Sequence, residues 1–196
     1  MLLPRPFIGY LAREITKGLA ERMCEFRNPD AVREKMVAVI VDELSLEDEI
    51  NTEARELLNQ YADYMRTQRI PYQEMFWKVK RKILAERKMV SAQAREPGER
   101  KMKISRDKTV EMSHKLAAAL PRIPGTLLRT SWNDVRLEIA RLMQDILMKE
   151  EAIDKQAQKK VSTIKRDIPE GSEEWTLLYR RYYDEEMKRY GIDLTE

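Results

Sequence analysis

An isoleucine-proline pair with a tryptophan six residues beyond the proline occurs twice in this chain of 196 residues, at Ile70-Pro71 to Trp77 and at Ile168-Pro169 to Trp175. A recurrence of this kind constrains the fold strongly, because a doubled unit repeats one supersecondary plan. Other residues follow the same order. Val32-Arg33, Asp42, Leu44, Glu47, Ile50 and Ala54 precede Val135-Arg136, Asp145, Leu147, Glu150, Ile153 and Ala157 by 103 positions. Leu3, Arg5 and Leu19 precede Ile104, Arg106 and Leu120 by 101, and the proline motif recurs at 98. The expectation is two tandem units, residues 1–90 and 104–196, joined by a charged linker at 91–103. The first unit then holds about five extra residues between its third helix and its proline turn.

Apolar residues at steps of three or four mark helix faces. Phe7, Leu11 and Ile15 form one stripe, Val32, Met36, Val39 and Ile40 a second, and Leu46, Ile50, Leu57, Tyr61 and Tyr64 a third. The second half repeats this with Val135, Ile139, Leu142, Met143 and Ile146, then Ile153, Ala157, Val161 and Ile164. Short polar side chains that accept hydrogen bonds from unpaired amides mark the starts. These are Asn28 before Pro29-Asp30, Ser45 with Asp48 three residues on, Ser105, Ser131, and Gly171-Ser172 before the last helix, while Pro71 opens the fourth. Residues 91–103 contain Glu96-Pro97-Gly98-Glu99 and no apolar stripe, as a linker does. No strand-like alternation competes, so the class is all-α, with about four helices in each unit.

Composition narrows the setting. Charged residues make up 36% of the chain, with six glycines and eight prolines, which suits a soluble helical protein that buries roughly 70% of its unfolded surface. The apolar run Met36 to Val41 is too short to span a bilayer, and the start Met1-Leu2-Leu3-Pro4-Arg5 lacks the pattern of a signal peptide. Cys24 is alone, which excludes an internal disulfide and makes the cytoplasm the expected compartment.

On the last helix Trp175, Leu178, Tyr179, Tyr182, Tyr183 and Tyr190 gather on one side with Glu186 among them. A carboxylate there needs a tyrosine hydroxyl or an arginine from a neighbouring helix. Two readings stay open: an aromatic core strip, or a partner site built from Trp175, Tyr179, Arg180 and Tyr183. In the earlier fourth helix Tyr72, Met75, Phe76, Val79 and Ile83 fill one face and Trp77 and Leu84 another. Apolar on two sides, that helix is expected to offer Trp77 to the second unit or to a partner.

The net charge is only +3, but from Lys78 to Lys108 twelve lysines and arginines face four acids. Lys78, Lys80, Arg81, Lys82, Arg100, Lys101 and Lys103 could contact phosphates, although such a run is also what a solvated helix face and linker look like. From Asp42 to Glu56 seven acids face Arg55 alone. Catalytic signals are thin. His114 is the single histidine and sits on a polar flank, there is no Gly-rich phosphate loop, and neither a metal nor a cofactor is expected. Glu47-Asp48-Glu49 and Glu150-Glu151 with Asp154 could serve acid-base chemistry, but their expected place at helix starts or junctions already accounts for them.

The stretch from Ile153-Asp154 to Ile168-Pro169-Glu170-Gly171-Ser172-Glu173-Glu174-Trp175, continuing through Leu178-Tyr179, Tyr182-Tyr183 and Glu185 to Arg189, resembles the closing segment of a bacterial family known as domain of unknown function number 507. Glu53 to Leu58, Phe76, Val79-Lys80 and Ala85-Glu86 are similar to the front part of its longer, duplicated members. Pro4 and Pro6 depart from the pattern, standing where a serine-led start like that at Ser105 is expected. The resemblance implies a bacterial, cytoplasmic, helical protein. It implies no activity, ligand or catalytic residue. The function expected is a non-enzymatic protein–protein interaction or assembly module that does not enter membranes. The alternatives are nucleic-acid or ribosome association through residues 78–108, and a carboxylate-dependent enzyme.

Overall fold

A computed structural model describes residues 2–91, 103–164 and 172–192. Its helices are α1 (Arg5–Arg22), α2 (Pro29–Gln60), α3 (Ala62–Thr67), α4 (Tyr72–Glu86), α5 (Arg106–Ala119), α6 (Trp132–Ser162) and α7 (Glu173–Arg189). The start signals at Asn28, Ser105, Ser131 and Ser172 act as N-caps, each side-chain oxygen accepting from the amide three residues on at 3.1–3.2 Å. Ser45 does not start a helix, because α2 runs through it. The expected second and third helices are one, and so are their counterparts in α6. Buried Ile40, Leu44, Glu47 and Ile50 keep one helical phase across Ser45, and no proline or glycine interrupts them. A break would gain nothing.

Between α1 and α2 lies strand β1 (Cys24–Phe26), and between α5 and α6 lies β2 (Thr126–Leu128). Three residues are too few to show alternation, so the sequence does not reveal them. They pair antiparallel, Cys24 with Leu128, Glu25 with Leu127 and Phe26 with Thr126. The ladder is self-symmetric about the central pair. Arg27 N–H donates to the Gly125 carbonyl at 2.9 Å and Arg129 N–H to the Met23 carbonyl at 2.8 Å. Gly125 has φ +80°, and a Cβ there would stand 2.7 Å from the Arg27 Cβ. Gly125→Ala is therefore expected to cost about 1–3 kcal/mol of stability. Gly9→Ala, inside α1 with nothing within 4 Å of the added carbon, should gain about 0.5–1 kcal/mol. Thermal unfolding of the two variants beside the wild type reads both signs.

Burial follows the same spacing in the two halves. In α1 Phe7, Ile8, Leu11, Ala12, Ile15, Thr16 and Leu19 are buried, and 101 residues on so are Lys108, Thr109, Met112, Ser113, Leu116, Ala117 and Leu120. Val32, Met36, Ile40, Leu44, Glu47, Ile50 and Ala54 of α2 are matched at 103 by Val135, Ile139, Met143, Leu147, Glu150, Ile153 and Ala157 of α6. The spacing stays at 103 in the final helices, where Lys80, Ile83 and Leu84 correspond to Tyr183, Glu186 and Met187. Their ends agree as well. Met89 N–H donates to the Leu84 carbonyl and Ile192 N–H to that of Met187, with positive φ at Lys88 and Gly191. At the spacing of 103 Trp77 falls opposite Arg180 and not opposite Trp175, so burial in the described residues does not follow the spacing of 98. A five-residue slip rotates a helix by about 140°, so burial rather than residue identity decides the register. Ile168 and Pro169 lie outside the described residues, as does most of the expected linker.

One core joins the halves. Phe7, Leu11 and Met36 share it with Met112, Leu116, Ile139 and Met143, and α1 packs on α6 as α5 packs on α2. Ile153, Ala157, Met187 and Ile192 of the second half belong to that core. Their first-half counterparts Ile50, Ala54 and Leu84 form a smaller, separate cluster with Ile83, against which Phe76, Val79 and Met89 pack.

Candidate functional site

The aromatic strip of α7 has a buried end and an accessible end. Trp175 stacks on Tyr179 at 5.1 Å and Tyr179 on Tyr183 at 5.8 Å. The Tyr183 hydroxyl donates to the buried Glu150 carboxylate at 2.5 Å, and that of Tyr179 donates to Asp154. Lys103 forms an ion pair with Glu150, donates to the Tyr183 oxygen at 3.1 Å and lies 4.6 Å over the ring. Burial first, and then the Glu150 charge, push the Tyr183 hydroxyl far above its ordinary range, so it remains a donor. Glu186 finds Lys160 of α6 at 2.5 Å and Arg189 of its own helix at 3.1 Å, where a tyrosine or an arginine from a neighbouring helix had been expected. Tyr183 is buried, Trp175 and Tyr179 half-buried and Arg180 exposed.

Helix α4 leaves more of its rings to solvent. Tyr72 stacks on Phe76 at 6.5 Å, Phe76 meets Trp77 edge-on at 5.8 Å, and the Arg55 guanidinium lies 5.8 Å over Phe76. Trp77 is 39% exposed and Tyr72 47%, with Tyr61 and Tyr64 at the α2–α3 junction more exposed still. Beneath Trp77 the Lys80 ammonium sits 5.2 Å from the indole centroid and pairs with Glu47 at 2.5 Å, both side chains fully buried. A cavity of about 480 Å³ opens beside them, lined by Glu74, Trp77, Lys80, Arg81, Leu84, Ala85, Met89 and Ser91.

Part of the basic segment is engaged with carboxylates. Lys80 is buried, Lys103 is tied to Glu150, and Lys78 pairs with Glu74 at 2.5 Å. Arg81 and Lys82 are exposed, while Arg100 and Lys101 lie outside the described residues. Glu47 and Glu150 do not sit at helix starts but in the middle of α2 and α6, so a helix dipole does not account for them and their lysines do. A further buried network was not foreseen. Lys108, fully buried, donates to Glu43 at 3.0 Å and to Glu111 at 2.9 Å, and Lys115 donates to Glu43 at 2.6 Å. Burial alone would raise the Glu43 carboxyl, but the two lysines outweigh it and hold it below the usual range. The one available clue is that Lys108 falls on the apolar face, at the position Phe7 holds in α1.

The catalytic candidates stay apart. His114 is exposed, 5.7 Å from the Trp132 ring. Burial pushes the Cys24 thiol up to about 11, which makes it a poor nucleophile. Among the described residues no group of three His, Cys, Asp or Glu could hold a metal ion, and no helix is long and apolar enough to cross a membrane. The arrangement on α4 is a set of partly exposed rings and a cavity beside a guanidinium, over a buried ion pair. No curated protein matches the chain. Residues 1–192 match the family described as "Protein of unknown function (DUF507)", and the chain belongs to that family.

Proposed function

We propose that the chain is a non-enzymatic protein-binding module, with α4 as its principal contact surface and the outer end of the α7 strip, Trp175, Tyr179 and Arg180, as an extension. The observation that carries this reading is that Trp77 and Tyr72 stay 39% and 47% exposed at the edges of the packed stripe of α4. Large rings with arginines beside them are the groups that contribute most at protein interfaces. The engagement of Lys78, Lys80 and Lys103 within the fold favours a protein partner over nucleic acid. We further infer that the two halves descend from one doubled unit, which the shared order of elements and spacing of buried residues support, and that the module works in the cytoplasm, which its single cysteine suits.

The test is capture on the immobilised full-length chain in moderate salt, followed by reconstitution with the purified partner. A defined protein should bind saturably and be lost in Trp77→Ala, a variant whose unfolding temperature stays close to that of the wild type. Unchanged binding by Trp77→Ala, or retention of nucleic acid that falls steeply with salt in place of a protein, overturns the proposal.

A further inference from the structure

The final helices of the two halves share one register, but different groups cover them. On α7, Tyr183 stands beside the buried Glu150, and Lys103 covers both, its ammonium on the carboxylate and over the ring. On α4 the corresponding residue is Lys80, paired with Glu47, and Lys80 belongs to the lining of the 480 Å³ cavity. Each half thus holds a buried glutamate met by a lysine whose ammonium lies against an aromatic ring. What the first half adds is the exposed Arg81 guanidinium, one residue beyond Lys80.

Charge around this cavity is unevenly matched. Glu74 is met by Lys78 and Glu47 by Lys80, whereas Arg81 has no carboxylate partner among the described residues. The Arg81 Nε donates to the Trp77 carbonyl at 3.3 Å, which tethers the exposed guanidinium at the rim. Trp77, Leu84, Ala85 and Met89 supply apolar walls. The volume falls within the range of about 300–1,000 Å³ in which proteins hold small groups.

We propose that this cavity anchors an acidic, extended segment of a protein partner, with an apolar side chain resting on Trp77, Leu84 and Met89 and the neighbouring carboxylate paired with Arg81. The inference rests on the protein-binding reading and gives that partner its chemistry. A guanidinium–carboxylate pair at the rim is charge-assisted and directional, and it selects acid over base beside the apolar anchor.

The experiment titrates the isotopically labelled full-length chain with two capped tetrapeptides, Asp-Phe-Glu-Phe and Lys-Phe-Lys-Phe, and follows the indole N–H signals. The acidic peptide should shift Trp77 saturably and leave Trp132 and Trp175 in place, and the basic one should not. Arg81→Gln should weaken binding roughly tenfold or more. Ala85→Phe, which fills the cavity from an exposed position, should abolish it. An unmoved Trp77, an equal response to the basic peptide, or full binding by Ala85→Phe overturns the proposal. Should partner capture depend on Trp77 but survive both Arg81→Gln and Ala85→Phe, the protein-binding reading stands and the cavity anchor falls. Saturable peptide binding without any captured partner separates them the other way.

Discussion

Lys80→Met should destabilise the chain by about 3–5 kcal/mol, one of the largest effects available from a single residue outside the apolar core. The wild-type pair is fully buried, with Lys80 Nζ 2.5 Å from Glu47, and removing the ammonium leaves a carboxylate in a site with little water. For a chain of this length that corresponds to a loss of roughly 6–20 °C in unfolding temperature. The double variant Glu47→Leu, Lys80→Met removes the ion with its partner and should return close to wild-type stability, since well-packed apolar replacements of buried pairs are often neutral. Urea unfolding of the three proteins measures both effects. A single variant within 1 kcal/mol of wild type would show that the pair is hydrated and the site open.

The same pair shows why part of the molecule was readable from sequence and part was not. Caps at Asn28, Ser105, Ser131 and Ser172 were legible because each works within one turn, through a side chain reaching the amide three residues on. The stripes of α1, α6 and the first half of α2 were legible for the same local reason, but the third stripe was misplaced: Leu46, Leu57, Tyr61 and Tyr64 are exposed, and Ala54 and Leu58 are buried beside Ile50 instead. Ser45 with Asp48 misled because that pattern also occurs inside helices, and only a breaker or a phase change distinguishes the two cases. Lys80 and Lys108 were hidden inside a charge count that treats every lysine as solvated. Their partners Glu47 and Glu43 lie on another helix, at separations no local rule addresses. The strands depend wholly on each other across the chain. The recurring Ile-Pro and Trp drew attention by identity, but helix phase is set by the side chains that leave water, and these keep a spacing of 103. Trp77 stood out on a second face of its helix, whereas the cavity beside it is lined by small Ala85, which no composition argument marks.

Phe7→Ala should lower stability by about 3–5 kcal/mol and lower it for both halves at once. Phe7 is 1% exposed in α1, and the core it occupies continues into Met112, Leu116, Ile139 and Met143 of the second half. The ladder of β1 and β2 and the packing of α1 on α6 tie the same elements together. A cavity opened at Phe7 therefore weakens one cooperative unit and not an N-terminal domain. Single-tryptophan versions retaining Trp132 or Trp175 should report the same shifted midpoint after the substitution, although both residues lie in the second half. If either keeps its wild-type midpoint, the halves unfold independently and the shared core contributes little. Ile83→Ala provides the contrast. Ile83 belongs to the smaller cluster with Ile50, Ala54 and Leu84, which the main core does not include. Loss of packing there should free α4 to open below the global transition, as locally stabilised segments do. Trp77 fluorescence should then change at a lower temperature than Trp132, whereas after Phe7→Ala the two should move together.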